Sequence, residues 1–152
     1  MKNRRRILTG GGKKFLWIYE SGDSKLQNCS YSLTQGSDYL DFPPSEVGST
    51  QLTDFFRYRY VQNEETSPST AGFLDLSVTK TFAGFKKLCF EAKKTSSKTA
   101  YIGIAGVSET RNNLTTGKTL YEIDLTAYQT ERVIRLYMNT GNGIDVYNMW
   151  LE

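Results

Sequence analysis

From Phe15 onward, apolar side chains recur at every second position in short runs, and nowhere do they hold a period of 3.6 between capping residues. That pattern leaves strands as the building material. Thr53–Gln62 shows it best: Phe56, Tyr58 and Tyr60 fall on one face, and Phe55, Arg57, Arg59 and Val61 on the other. The same reading predicts strands over Phe15–Glu20, Ser30–Leu33, Ser37–Phe42, Phe73–Val78, Lys87–Ala92, Thr99–Val107, Thr119–Leu125, Val133–Asn139 and Ile144–Leu151. Pro43-Pro44 stops one of them, because proline donates no ladder hydrogen bond. Lys93–Lys98 reads as a tight polar hairpin, and Thr140-Gly141-Asn142-Gly143 predicts another between the last two strands. No connection is long enough for regular helical crossovers, so the expected class is all-β: antiparallel sheets packed as a sandwich or barrel. In the closing strand, Gly143–Glu152, Ile144, Val146, Asn148 and Trp150 alternate with Asp145, Tyr147, Met149 and Leu151. Both sets hold apolar residues, which predicts a central or covered strand.

At 152 residues the chain is long enough for one domain with a substantial core. Its ten tyrosines and eight phenylalanines favour strands. The net charge of +3 sits largely in Lys2, Arg4, Arg5, Arg6, Lys13 and Lys14, next to the joint Gly10–Gly12. Residues 1–14 therefore read as a basic flexible arm and 15–152 as a single β-sandwich domain. Beyond the arm positive charges alternate with acidic ones, so no specific nucleic-acid partner is expected. No apolar run reaches the roughly 20 residues that span a bilayer, which argues against membrane insertion. Ile7–Leu8 is too brief for the apolar region of a signal peptide. Cys29 and Cys89, each among strand residues, read as two buried thiols, with a disulfide as the alternative.

The chain contains no histidine. That removes Ser-His-Asp and Cys-His nucleophiles and the usual zinc geometries, leaving acid–base work to a shifted Glu, Asp or Lys. Asp75, Glu91, Glu122 and Asp124 stand on or beside strands, but a glycosidase needs two carboxyl groups on one cleft. Asp75 and Asp124 have a simpler role. Leu74-Asp75-Leu76-Ser77 precedes Phe82, and Ile123-Asp124-Leu125-Thr126 precedes Tyr128. This echo reads as a repeated crossover between two sheets, with Asp accepting from turn N–H groups. No enzyme and no cofactor are expected; a structural calcium is considered at Asp38 and Asp41. Gly10-Gly11-Gly12-Lys13-Lys14 lacks the strand-to-helix setting of a phosphate loop.

The most unusual stretch is Phe55-Phe56-Arg57-Tyr58-Arg59-Tyr60. Arginines interleaved with aromatics can stack on sugar rings or nucleobases, or anchor a protein interface. Tyr39, Arg57, Tyr58, Arg59 and Tyr60 are therefore the candidate ligand-binding residues. In the alternative reading Phe56, Tyr58 and Tyr60 line the core, leaving an outward row of Arg57, Arg59 and Tyr39.

Arg135-Leu136-Tyr137-Met138-Asn139 with Ile144-Asp145-Val146-Tyr147-Asn148-Met149-Trp150-Leu151-Glu152 resembles the closing hairpin of a known group. These are β-sandwich modules of tail-fibre and baseplate proteins from phages and prophages of Gram-positive bacteria. Phe15-Leu16-Trp17-Ile18-Tyr19 with Gly22-Asp23 resembles their opening, and Leu74-Asp75-Leu76 and Ile123-Asp124-Leu125 resemble their internal segments. The resemblance implies a jelly-roll, galactose-binding-like sandwich similar to carbohydrate-binding domains. It also implies a non-catalytic module that binds host-surface carbohydrate. The alternative is a structural or assembly subunit of a phage or prophage particle, and a glycosidase-like enzyme is a third reading. The partners so implied are a glycan or other phage structural proteins, with a homo-oligomer among the options. The location is the virion, or the bacterial cytoplasm before assembly.

Overall fold

The computed structural model describes residues 12–18, 26–33, 38–41, 55–60, 71–79 and 81–152. Eleven strands form among them: β1 (Lys14–Ile18), β2 (Cys29–Leu33), β3 (Asp38–Asp41), β4 (Phe56–Tyr60), β5 (Ala71–Val78), β6 (Lys87–Lys94), β7 (Ala100–Ile104), β8 (Asn112–Asn113), β9 (Thr119–Asp124), β10 (Val133–Asn139) and β11 (Asn142–Leu151). They build two antiparallel sheets. The first runs β3-β4-β11-β6-β9, with β1 beside the second half of β11; the second runs β2-β5-β10-β7-β8. This is the expected two-sheet β-sandwich. Among the described residues no helix is long and apolar enough to cross a membrane.

Period-2 patterning closes the core. Phe56, Tyr58, Leu88, Phe90, Ile144, Val146, Met149 and Leu151 of the first sheet meet Leu74, Leu76, Ile102, Ile134, Leu136 and Met138 of the second, all at 0% exposure. At Gly72 of β5 the two layers approach closely. A Cβ there would lie 2.5 Å from the Asp38 carboxylate and from the Tyr58 hydroxyl.

The connection from β5 to β6 and that from β9 to β10 cross between sheets, as the Asp-Leu echo predicts. The two crossovers are tied together. Phe82 N–H donates to the Thr130 carbonyl (3.2 Å), and Gly84 N–H to Gln129 Oε1 (3.1 Å). Asp124 fills its predicted turn role, accepting from the Thr126 N–H (2.8 Å) and hydroxyl (2.6 Å). Asp75 does not. β5 continues through Val78, so the Asp75 carboxylate stands in mid-strand and takes Arg135 instead.

Neither predicted hairpin forms. β6 and β7 lie in different sheets, as do β10 and β11, so Lys93–Lys98 and Thr140–Gly143 hold turns between layers. Gly141, at φ +78°, makes the sharp reversal. Its N–H donates to the Tyr60 carbonyl (3.0 Å) in the first sheet. Asn142 then joins the two turns: its Nδ2 donates to the Lys98 carbonyl (2.9 Å), and its Oδ1 accepts from Ser96 N–H (3.0 Å) and Gly143 N–H (2.8 Å). The turn's polar groups are satisfied across the sandwich, not by β10.

β11 is the central strand expected, paired with β6 on one side and with β4 and β1 on the other. Its strict alternation fails at one point. The register slips between Val146 and Asn148, a bulge at Tyr147 that resets the phase. Met149 and Leu151 therefore join Ile144 and Val146 inward, and Trp150 points outward with Tyr147 and Asn148.

Cys29 lies on β2 and Cys89 on β6, in opposite sheets, and both are free thiols. Burial pushes each thiol up to about 11. Of the basic arm, residues 1–11 lie outside the described residues. Lys13 sets its ammonium 4.5 Å over the Trp150 ring, and Lys14 already belongs to β1.

Candidate functional site: two outer sheet faces

On the outer face of the first sheet, β4 sets Arg57 directly across from Asp145 of β11. The guanidinium donates twice, Nε to Oδ1 at 2.6 Å and Nη2 to Oδ2 at 2.8 Å, over a carboxylate with no solvent exposure. This hydrogen bonding holds the Arg57 proton more tightly than usual. Around the pair stand the rings. Arg59 lies 5.6 Å over Tyr39, Arg57 lies 5.3 Å over Phe55, and Phe55 tilts against Tyr147 at 5.1 Å. Lys118 places its ammonium 4.5 Å over Tyr147. Further along β11, Asn148 donates to Glu91 (2.5 Å). The indole N–H of Trp150 donates to Glu152 (2.7 Å), and Phe15 tilts beside its ring at 6.1 Å. That bond from Trp150 holds the Glu152 carboxyl below its ordinary range.

The predicted binding residues divide between two faces. Tyr39, Arg57 and Arg59 point outward on this sheet. Tyr58 and Tyr60 point into the core, at 0% and 2% exposure. Tyr58 donates its hydroxyl to the buried Asp38 (3.2 Å), and burial with that neighbouring carboxylate pushes its ionisation far up. Five residues within a strand and its neighbour cannot share one surface, because successive side chains leave the sheet in opposite directions. The same rule separates the proposed calcium ligands: Asp38 is set against Tyr60 inside and Asp41 against Arg57 outside. Among the described residues no group of three or more His, Cys, Asp or Glu could hold a metal. The carboxylates weighed for hydrolysis are also dispersed. Asp75 stands on the other sheet with Arg135, Glu91 accepts from Asn148, and Glu122 pairs with Lys87 at 3.3 Å.

Tyr147 and Trp150 were not among the expected site residues. Their signal was the break in alternation at Tyr147-Asn148, two outward residues in succession between inward apolar ones.

The second sheet's outer face carries a different arrangement. Phe73, Tyr137 and Tyr101 fall in register across β5, β10 and β7. Tyr101 stacks on Tyr137 with centroids 4.5 Å apart and planes 12° from parallel, and Phe73 tilts against Tyr137 at 5.3 Å. Arg111 closes one end of the column, 4.7 Å over Tyr101, and Arg135 the other, 4.4 Å over Phe73. Asp75 holds Arg135 through two bonds of 2.8 Å. The rings spend their faces on one another and on the arginines.

A cleft of about 770 Å³ opens at the end of the sandwich where the crossovers meet, lined by Phe85, Lys86, Lys87, Glu122, Asp124 and Gln129 among others. Much of its polar lining is engaged internally: Lys87 with Glu122, Asp124 with Thr126, and the Gln129 amide with the Phe85 and Leu125 carbonyls.

No protein-family model matches the sequence, and no curated protein matches it. Solved structures do match. A family 29 carbohydrate-binding module, studied for its mechanism of ligand recognition, aligns with a TM-score of 0.60 at 11% identity, covering 93% of this chain and 91% of that one. A module of the same family complexed with mannohexaose aligns at 0.59 and 12% identity, covering 92% and 90%. Another, complexed with cellulohexaose, aligns at 0.58 and 9%, covering 92% and 89%. The chain thus has the β-sandwich fold of these modules.

Proposed function

We propose that this chain is a non-catalytic carbohydrate-binding module that takes an extended oligosaccharide along the outer face of the first sheet. Trp150 carries the reading. Its indole is oriented by Glu152 on a central strand, beside Phe15, and the cation over its ring is a lysine. A lysine stem swings aside readily and keeps a donor for sugar hydroxyls, whereas a pyranose ring can lie on the indole. Tyr147 stands three positions along the same strand, roughly 10 Å away at the usual rise, and suits a second ring of the same chain. The pairs Asn148–Glu91 and Arg57–Asp145 supply fixed polar groups between and beyond them, with Tyr39 and Arg59 at the far edge. Such preorganised polar groups set orientation while the aromatics set affinity. The fold shared with modules complexed with linear hexasaccharides supports a linear ligand.

The resemblance of the chain's ends to phage tail modules supports host-surface carbohydrate as the source of the ligand. Phage structural proteins as partners and the virion as location rest on that resemblance alone.

Calorimetry with mannohexaose, cellulohexaose and Gram-positive wall polysaccharides tests the proposal. Trp150→Ala is expected to lower affinity at least about tenfold, in the manner of an aromatic hot spot, and Tyr147→Ala to lower it as well. Tyr137→Ala, on the second face, should bind as the parent does. Flat heats across the whole panel, or equal losses from both faces, would overturn it.

A further inference from the structure

We infer that two copies of this chain pair through the free edge of β9, antiparallel, making one continuous sheet across a two-fold axis at Tyr121. β9 ends the first sheet and, at six residues, is the longest edge strand among the described residues. Its ladder to β6 runs without a bulge. Thr119-Leu120-Tyr121-Glu122-Ile123-Asp124 holds neither proline nor lysine, two residues that commonly blunt an edge.

One bond fixes which backbone groups are open. Leu125 N–H donates to the Lys86 carbonyl (2.8 Å), one step beyond the pairing of Asp124 with Lys87. Backbone groups alternate sides along a strand, so Thr119, Tyr121 and Ile123 turn theirs to β6. Leu120, Glu122 and Asp124 turn theirs to the free edge, and among the described residues these groups have no other backbone partner. A cleft of about 430 Å³ lies between Glu122–Asp124 and Glu109–Asn112, leaving room beside this edge. Leu120 is 52% exposed, more than any other large apolar side chain among the described residues.

A second copy matches this edge in one register. A two-fold pair must set open residues against open residues. Glu122 opposite itself, or opposite Asp124, would oppose like charges. Leu120 opposite itself would overlap only Thr119–Tyr121. Leu120 opposite Glu122 of the second copy avoids both faults and overlaps Thr119–Ile123. It sets Tyr121 against its own copy, a cross-strand aromatic pair that extends the Phe90–Tyr121 stack (5.3 Å). Lys87, 3.3 Å from Glu122, offsets the acidic charge near the axis. The axis stands perpendicular to the sheet, so both outer faces turn the same way and two sugar platforms share one surface. That last consequence rests on the glycan-binding reading; the pairing does not.

Analytical ultracentrifugation of the full chain tests the pairing. A two-chain species is expected to build up with concentration below about 1 mM, since one strand pair is a small interface. Leu120→Pro removes an N–H on the open edge only, and should abolish that species while keeping the parent's urea midpoint. Leu120→Glu meets Glu122 of the second copy and should weaken association at least about tenfold. Adding Glu122→Lys to Leu120→Glu creates an opposite-charge pair in this register and should restore it. If Leu120→Pro fails to fold, Leu120→Glu and its rescue decide. A monomer at every concentration, association unchanged in either folded Leu120 variant, or no rescue by Glu122→Lys would overturn the inference. Calorimetry with mannohexaose reads the glycan proposal separately, whichever way the pairing falls.

Discussion

On the first sheet Arg57 clasps Asp145, and on the second Arg135 clasps Asp75, each through two hydrogen bonds between neighbouring strands and each beside a Phe–Tyr contact. The parts are alike, but their surroundings differ. Asp145 is fully covered, while the Asp75 side chain keeps 16% exposure. On the second face a regular ladder brings Tyr101, Tyr137 and Phe73 into line, so the rings stack and arginines cap the column. On the first face the bulge at Tyr147 breaks the ladder and spreads Tyr147 and Trp150 along one strand. A regular register stacks the second face's aromatics on one another; on the first face the inserted residue brings Trp150 outward as well, three positions from Tyr147.

The largest test of that contrast is charge removal. Arg57→Ala leaves the Asp145 carboxylate buried without its partner, which should cost about 3–5 kcal/mol. Arg135→Ala leaves an Asp75 that water can reach, for a loss of about 1–2 kcal/mol. Urea denaturation measures both, and equal losses would show that the two pairs are not distinguished by burial. Gly72→Ala comes next. Its methyl group meets the Asp38 carboxylate and the Tyr58 hydroxyl between the layers, an overpacking worth about 1–3 kcal/mol. A neutral result would mean that the sheets can part locally without loss.

The smallest effect concerns the thiols, one on each sheet. Folding raises both from 9.0 to about 11 through burial. The folded state therefore holds these protons more tightly than the unfolded chain. The stability so contributed is complete below about pH 9 and falls away as pH rises toward about 11. A lower urea midpoint at pH 10.5 than at pH 8 is expected. Labelling at pH 8 should be slow for both thiols and faster for Cys89 once Trp150, its cross-strand partner, is replaced by Ala. Unchanged labelling in that variant would show that the indole does not shield this part of the first face.

Much of the site was half-legible. The alternation of Thr53–Gln62 sorted Arg57 and Arg59 from Tyr58 and Tyr60, yet it could not say that Arg57 would meet a carboxylate 88 residues away. Strict period-2 counting groups Trp150 with Ile144 and Val146, because it cannot anticipate the inserted residue that parts them. The hairpins expected at Lys93–Lys98 and Thr140–Gly143 failed for a related reason. Turn chemistry specifies that a chain reverses, and Gly141 does reverse it, but the sheet that receives the next strand depends on which distant carbonyl, here that of Tyr60, accepts the turn's N–H.

By itself, then, the sequence determined the class of fold, the central place of β11 and the inward set of side chains on β4, because strand geometry links each residue only to its neighbours two positions away. Tertiary structure alone decided which strands adjoin. That placed Arg57 over Asp145 and joined Tyr101 to Tyr137. These are contacts between segments far apart in the chain, and they arise only when distant strands pair within a sheet and their registers lock.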